Sequence, residues 1–168
     1  MEQIRCVLQQ DVDYLILREK DLTESAYENL AKQVLKEAGE RCVLHSFIDV
    51  AIRLGCRKIH LPMEAFLKMT PKQKACFSMI GVSTHTVEEA LLAEKNKADY
   101  ITASHIFPTD CKKGLPPKGL VYLKAVCQKV QIPVYALGGI SKENIKDCIN
   151  AGADGVCMMK TYMRLSQE

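Results

Sequence analysis

Seven short apolar runs, separated by longer amphipathic stretches, constrain this chain more than any other feature. They are VDYLIL from Val12, RCVLH from Arg41, RKIHL from Arg57, FSMIGVS from Phe77, DYITAS from Asp99, PVYAL from Pro133 and DGVCMM from Asp154. Runs that are this short and apolar throughout, rather than alternating, read as strands buried on both faces, the composition of a parallel sheet. Parallel neighbours need a crossover, and the intervening stretches supply it. A helix is expected from about Ser25 to Ala38, with Ser25 and Glu28 as a capping box, Ala26, Leu30, Ala31, Val34 and Leu35 on one face, and Gly39 as its stop. Thr86 and Glu89 open a second helix to about Lys95, and Ser141 caps a third that ends near Gly152. Repeated βα units with short linkers predict an α/β fold, a TIM-type (β/α) barrel or near-barrel of about seven parallel strands.

One domain spanning residues 1–168 accounts for the length. No apolar run approaches the roughly 18 residues of a membrane span, so no membrane partner is expected. The opening MEQIRCVLQQDVDY lacks the basic start and apolar core of a secretory signal, which points to the cytoplasm. Eight cysteines show no CxxC or zinc spacing and read as reduced core thiols. A net charge of +3, with Lys and Arg dispersed, is too weak a footprint for nucleic acid and fits a small anionic ligand.

Active sites of parallel barrels lie at the C-terminal ends of the strands, and polar residues gather there in this chain. Arg18 and Lys20 follow the first strand, His45 and Ser46 the second, Ser83 and His85 the fourth, and His105, Thr109, Lys112 and Lys113 the fifth. Gly138 and Gly139 follow the sixth strand, and Met159 and Lys160 the seventh. His105 is the acid/base candidate, because an imidazole takes and returns a proton near neutrality. Gly138 and Gly139, with Met159 and Lys160 at the last strand end, form the expected phosphate site, since glycines let backbone N–H groups approach an anion. Arg18, Lys20, His45, Ser83, His85, Thr109, Lys112 and Lys113 are the expected substrate-binding set, although the cationic residues are equally readable as solvated charges and His45 and His85 as loop anchors. His60, inside RKIHL, reads as a satisfied core residue.

With these residues assembled, the chain resembles the thiamine-phosphate synthase and TenI superfamily. The resemblance is carried by LREKDL at Leu17, IDVAIRLG at Ile48, KIHLP at Lys58, GVSTHTVEEALLAE at Gly81, ADYITASHIFPTDCKKG at Ala98, IPVYALGGI at Ile132 and AGADGVCMM at Ala151. It implies a (β/α)8-type barrel acting on phosphorylated thiazole or pyrimidine precursors, with the family's first strand and last helix missing. Covering the strands left at the two edges then requires closure on seven strands, a helical plug from residues 1–10, or a partner subunit, and a homo-oligomer or plug is expected. In the synthase branch an Asn-Asp pair and a further Asp hold magnesium. This chain has His45-Ser46 at the first position and Leu61 to Ala65, with Glu64, at the second. The resemblance is stronger to the TenI branch, whose thiazole tautomerases carry a loop like Ser104 to Gly114, with the catalytic histidine at His105. The implied function is a metal-independent, cofactor-free isomerase that aromatises a carboxythiazole phosphate. The alternatives are a magnesium-dependent thiamine-phosphate synthase and a non-catalytic phosphate-binding or regulatory protein.

Overall fold

The computed structural model describes residues 1–112 and 114–164. Seven strands follow one another in chain order. They are β1 (Leu15–Leu17), β2 (Cys42–His45), β3 (Lys58–Pro62), β4 (Met79–Thr84), β5 (Tyr100–Ser104), β6 (Val134–Leu137) and β7 (Gly155–Cys157). Five lie within the expected runs, and β3 and β4 reach one residue past theirs, to Pro62 and Thr84; β2 and β5 are buried along their whole length. The α/β fold of parallel strands is therefore as expected. No helix among the described residues is long and apolar enough to cross a membrane.

The chain divides into two compact units. The first comprises Met1–Leu61, Lys68–Ile80 and the chain from Lys160. In it β1 pairs with β2 (Leu17 opposite Leu44) and β2 with β3 (His45 opposite His60), both parallel. The helices α1 (Glu2–Leu8), α2 (Glu24–Ala38), α3 (Ile48–Arg53) and a short turn at Pro71–Lys74 complete it. Residues 1–10, whose folding as a helical plug is one of the three alternatives given above, contain the helix α1. Helix α1 packs on α2 and on the 3-10 turn Tyr162–Arg164, the Gln3 side-chain amide donates to the Tyr162 carbonyl, and Arg5 pairs with Glu37 at 2.7 Å.

The second unit comprises Pro62–Leu67 and Gly81–Met159. In it β4, β5, β6 and β7 pair in parallel, with Thr84 opposite Ala103, Ser104 opposite Leu137 and Leu137 opposite Cys157. Helices α6 (Val87–Lys95), α7 (Gly119–Lys129) and α8 (Ile145–Asn150) follow β4, β5 and β6. The chain-order numbering leaves α4 for Met63–Leu67 and α5 for the Pro71–Lys74 turn.

Local chemistry corrects three details. The cap of α2 is Thr23, whose hydroxyl accepts from the Ala26 amide at 3.3 Å, rather than Ser25. Its buried face is Tyr27, Ala31, Val34 and Ala38, a stripe at helical spacing that takes Tyr27 inward and leaves Ala26 exposed. The expected Ser141 cap is instead an Asn144 turn: the Asn144 side-chain oxygen accepts from the Ser141 amide at 2.9 Å, and α8 begins only at Ile145. Thr86 caps α6 as expected, accepting from the Glu89 amide at 3.1 Å. The cysteines are only partly core residues, since Cys42, Cys56 and Cys148 are buried but Cys76 is exposed.

Tyr27 places the strand ends of the first unit. Its buried hydroxyl donates to the Leu17 carbonyl at 2.8 Å and accepts from the His45 amide at 2.9 Å, bridging the ends of β1 and β2, while its ring stacks on Phe47 at 4.2 Å. Replacing Tyr27 by Phe strands a buried carbonyl and a buried amide, each of which costs about 1–3 kcal/mol when unsatisfied. Urea unfolding of Tyr27→Phe is expected to show a midpoint lowered by a loss of that size.

Candidate functional site

In the first unit the ends of β1 and β2 carry Arg18 and Lys20, and His45 and Ser46, and the neighbouring β3 carries His60 in its middle. His45 and His60 occupy opposed positions in the β2–β3 register and stack at 5.7 Å between ring centroids, inclined by 25°. Both are buried. The Ser46 hydroxyl lies 2.6 Å from His45 Nδ1. Burial, reinforced by the charges of Arg18 and Lys20, pushes the His45 imidazole down to about 4. Burial, with smaller contributions from His45 and Arg18, pushes His60 down to about 3. Both rings are therefore neutral near pH 7, while Arg18 and Lys20 are exposed cations within electrostatic reach of His45. His60, read from the sequence as core, is buried as expected and is also the stacking partner of a site candidate.

These donors do not fit magnesium. A hard cation takes several oxygen ligands, whereas the second strand end offers an imidazole and a hydroxyl. Among the described residues no group of three or more His, Cys, Asp or Glu is placed to hold a metal ion.

In the second unit the chemistry centres on the segment after β5. His105 is 4% exposed, and its peptide bond to Ser104 is cis. The His105 Nε2 atom lies 3.4 Å from the Leu115 carbonyl, and Nδ1 is buried without a partner. A carbonyl only accepts, so in the neutral ring the proton sits on Nε2 and Nδ1 keeps a free lone pair. The loop is fixed at its base, because the Lys118 amide donates to the His105 carbonyl at 2.9 Å and the Gly119 amide to the Ile106 carbonyl at 3.0 Å.

Gly138 and Gly139, after β6, press against this loop. At Gly138 (φ +98°) a Cβ would sit 2.4 Å from His105 Cβ and 2.8 Å from its Cα. At Gly139 (φ +67°) it would sit 2.5 Å from the Pro108 carbonyl oxygen. Only glycine accepts both the left-handed backbone and that approach. The pair was selected in the sequence as an anion cradle; its visible work is to let the β6 turn lie against the histidine loop. The Asn144 side-chain amide holds the turn by donating to the Gly139 carbonyl at 3.0 Å.

His85, just past β4, is half-buried, with Nδ1 3.2 Å from the Ser104 carbonyl and 3.1 Å from the Ser104 hydroxyl. Ser83 and Thr109 are half-buried, as is Lys112, whose amide donates to the Thr109 carbonyl at 3.1 Å. Met159 is 52% exposed and closes the second unit, whereas Lys160 is exposed and belongs to the first. Lys113 lies outside the described residues. The structure thus brings His85, Ser104, His105, Gly138 and Gly139 together in one unit, and Arg18, Lys20, His45 and His60 in the other. Three functional contributors had no signal in the sequence: the Leu115 carbonyl that sets the His105 tautomer, Tyr27 behind His45, and Asn144 behind Gly139.

Comparison with known proteins bears on the whole chain. The family model described as thiamine monophosphate synthase, TMP-TENI, matches residues 1–161. A putative thiamine-phosphate synthase 2 of Aquifex aeolicus is 37% identical over 166 residues, covering 97% of this chain and 89% of its own length. A thiamine-phosphate synthase of Shouchella clausii is 36% identical over 168 residues, covering 95% and 78%. Among solved structures, the thiamine phosphate pyrophosphorylase of Pyrococcus furiosus superposes with a TM-score of 0.82 at 27% identity, covering 96% of this chain and 80% of that one. These proteins are named for the synthase, the alternative among the expected activities, and not for an isomerase.

Two outcomes follow from the geometry. Gly138→Ala combines a strained backbone, at about 1–3 kcal/mol, with overpacking at about 1–3 kcal/mol, and is expected to lower the thermal midpoint and shift the His105 NMR resonances. For His45 and His60, whose native pKa values lie below the unfolded imidazole value of about 6.5, the unfolded chain binds protons that the native state refuses. Stability is expected to fall as pH drops from about 6.5 toward 4, by up to about 1.4 kcal/mol per pH unit for each ring. Chemical denaturation across that range, repeated on His45→Gln/His60→Gln, should show the slope and its loss.

Proposed function

The chain belongs to the thiamine monophosphate synthase family, and so to thiamine biosynthesis, and from that premise we propose that it moves a proton on a phosphorylated thiazole. The observation that carries this reading is the His105 ring: buried, fixed by the Leu115 carbonyl through Nε2, and left with an unpartnered Nδ1. Such an atom is a prepared proton acceptor. In the aromatisation of a carboxythiazole phosphate tautomer, Nδ1 takes the proton from a ring carbon, the C–H electron pair enters the ring and passes to a second carbon, and a proton is returned there. The Gly138–Gly139 turn, in the same unit as His105, suits the phosphate of the substrate. No redox cofactor enters this chemistry.

A second reading, the coupling of a pyrimidine pyrophosphate to a thiazole phosphate, is favoured by the names of the relatives. Against it stands the donor set at the end of β2, an imidazole and a hydroxyl in place of the oxygen ligands that magnesium takes. The isomerase and the synthase share a thiazole phosphate ligand, and each leaves a different product.

Incubation with the carboxythiazole phosphate tautomer, followed by ultraviolet absorbance of the aromatic product, separates them. Wild type is expected to accelerate aromatisation, and His105→Ala to lose about 100- to 10,000-fold of that rate. Equal rates for the two proteins would sink the tautomerase reading. Magnesium-dependent formation of thiamine phosphate would establish the synthase instead, and thermal protection by thiazole phosphate without turnover of either kind would leave a binding protein.

A further inference from the structure

We propose that His85 is a second proton-transfer residue, paired with His105 as an acid and a base of opposite tautomer. The inference rests on the proton-transfer reading above and extends it from one histidine to two.

Both residues stand at neighbouring strand ends of the same unit. The β4–β5 register sets Thr84 opposite Ala103, so His85 follows β4 where Ser104 closes β5. His85 is held from two sides. Its backbone amide donates to the Glu89 carboxylate at 2.6 Å, in the first turn of α6. Its ring Nδ1 reaches the Ser104 carbonyl at 3.2 Å and the Ser104 hydroxyl at 3.1 Å. The carbonyl only accepts, so Nδ1 carries the hydrogen and Nε2, without a protein partner among the described residues, is the open atom. At His105 the assignment is reversed: Nε2 carries the hydrogen toward Leu115 and Nδ1 is open. The Ser104 carbonyl that orients the His85 ring belongs to the peptide linking Ser104 to His105, so one peptide separates the two orientations.

The reaction supplies a use for two open nitrogens. Aromatising a ring tautomer breaks a C–H bond at one carbon and makes a C–H bond at another, so proton removal and delivery occur at different places. His105 Nδ1 accepts the first proton, and the C–H electrons pass through the ring to the second carbon. His85 takes a proton from solvent at its open Nε2 and delivers it to the second carbon while Nδ1 still donates to Ser104. The turnover ends with the charge moved from His85 to His105, and water, which reaches the half-exposed His85, restores both rings.

The pair is tested by nitrogen NMR of the imidazoles in the free protein and by the His85→Asn variant. Asparagine places an amide donor where Nδ1 stands and has no basic atom, so the bond to Ser104 survives and proton delivery does not. The spectra are expected to show His85 protonated at Nδ1 and His105 at Nε2; the same tautomer in both rings overturns the pairing. His85→Asn is expected to lose about 100-fold in kcat with KM unchanged. A wild-type kcat in that variant overturns the proposal and leaves His85 a structural anchor. In deuterated water the wild-type product is expected to carry deuterium at the newly protonated carbon, and retention of the substrate's own proton there also overturns it. A wild type that fails to aromatise the tautomer, with thiazole phosphate still bound, removes the proposed function, and the tautomer spectra then decide the pairing by themselves.

Discussion

The contact on which the second unit depends is between a missing atom and a histidine. Gly138 has no Cβ, and the place where one would stand is 2.4 Å from the Cβ of His105. That absence lets the β6 turn lie flat on the loop that follows β5, where Ile106 and Phe107 donate to the Leu137 and Gly138 carbonyls at 3.0 Å each. Backbone therefore holds backbone on one side of His105, and the return of the loop at Lys118 holds the other. The proton transfer proposed for His105 depends on such support, because an error of about 1 Å in the placement of a reacting group is enough to cost most of its effect.

How much of this was legible in the sequence depends on the range of the interaction. The seven strands were readable because each is a run whose burial needs no information beyond its own composition, and β5 is the clearest, buried from Tyr100 to Ser104. Helix ends were harder. Thr23 and Ser25 are both good caps, and the choice was settled by whether Tyr27 or Ala26 turned inward, which depends on a carbonyl at Leu17 and an amide at His45. The site divides in the same way. Residue types at strand ends, such as His105 and Gly138, follow from the register of a βα unit. The partners that decide what those residues do, Leu115 for His105 and Ser104 for His85, come from loops whose paths composition does not fix.

The first unit illustrates how a family position can keep its place and change its chemistry. Where the resemblance implied oxygen ligands for a cation, the strand ends carry His45 and Ser46, with His60 stacked beneath a neutral imidazole. Burial keeps both rings uncharged, and the charges that act on His45, those of Arg18 and Lys20, are positive. An arrangement of neutral rings and exposed cations attracts an anion and has no surplus of negative charge with which to hold a divalent metal.

The relatives' names and the local chemistry therefore speak to different levels of description. Identity of 36–37% along nearly the whole chain reflects a shared scaffold, which a proton-transfer enzyme and a coupling enzyme can both use. Their reactions part at the charge that must be stabilised. Coupling displaces pyrophosphate, whose departing charge calls for cations placed close to it, whereas aromatisation only relocates a proton and calls for basic atoms with nothing else bound to them. His105 Nδ1 is such an atom, buried and unpartnered.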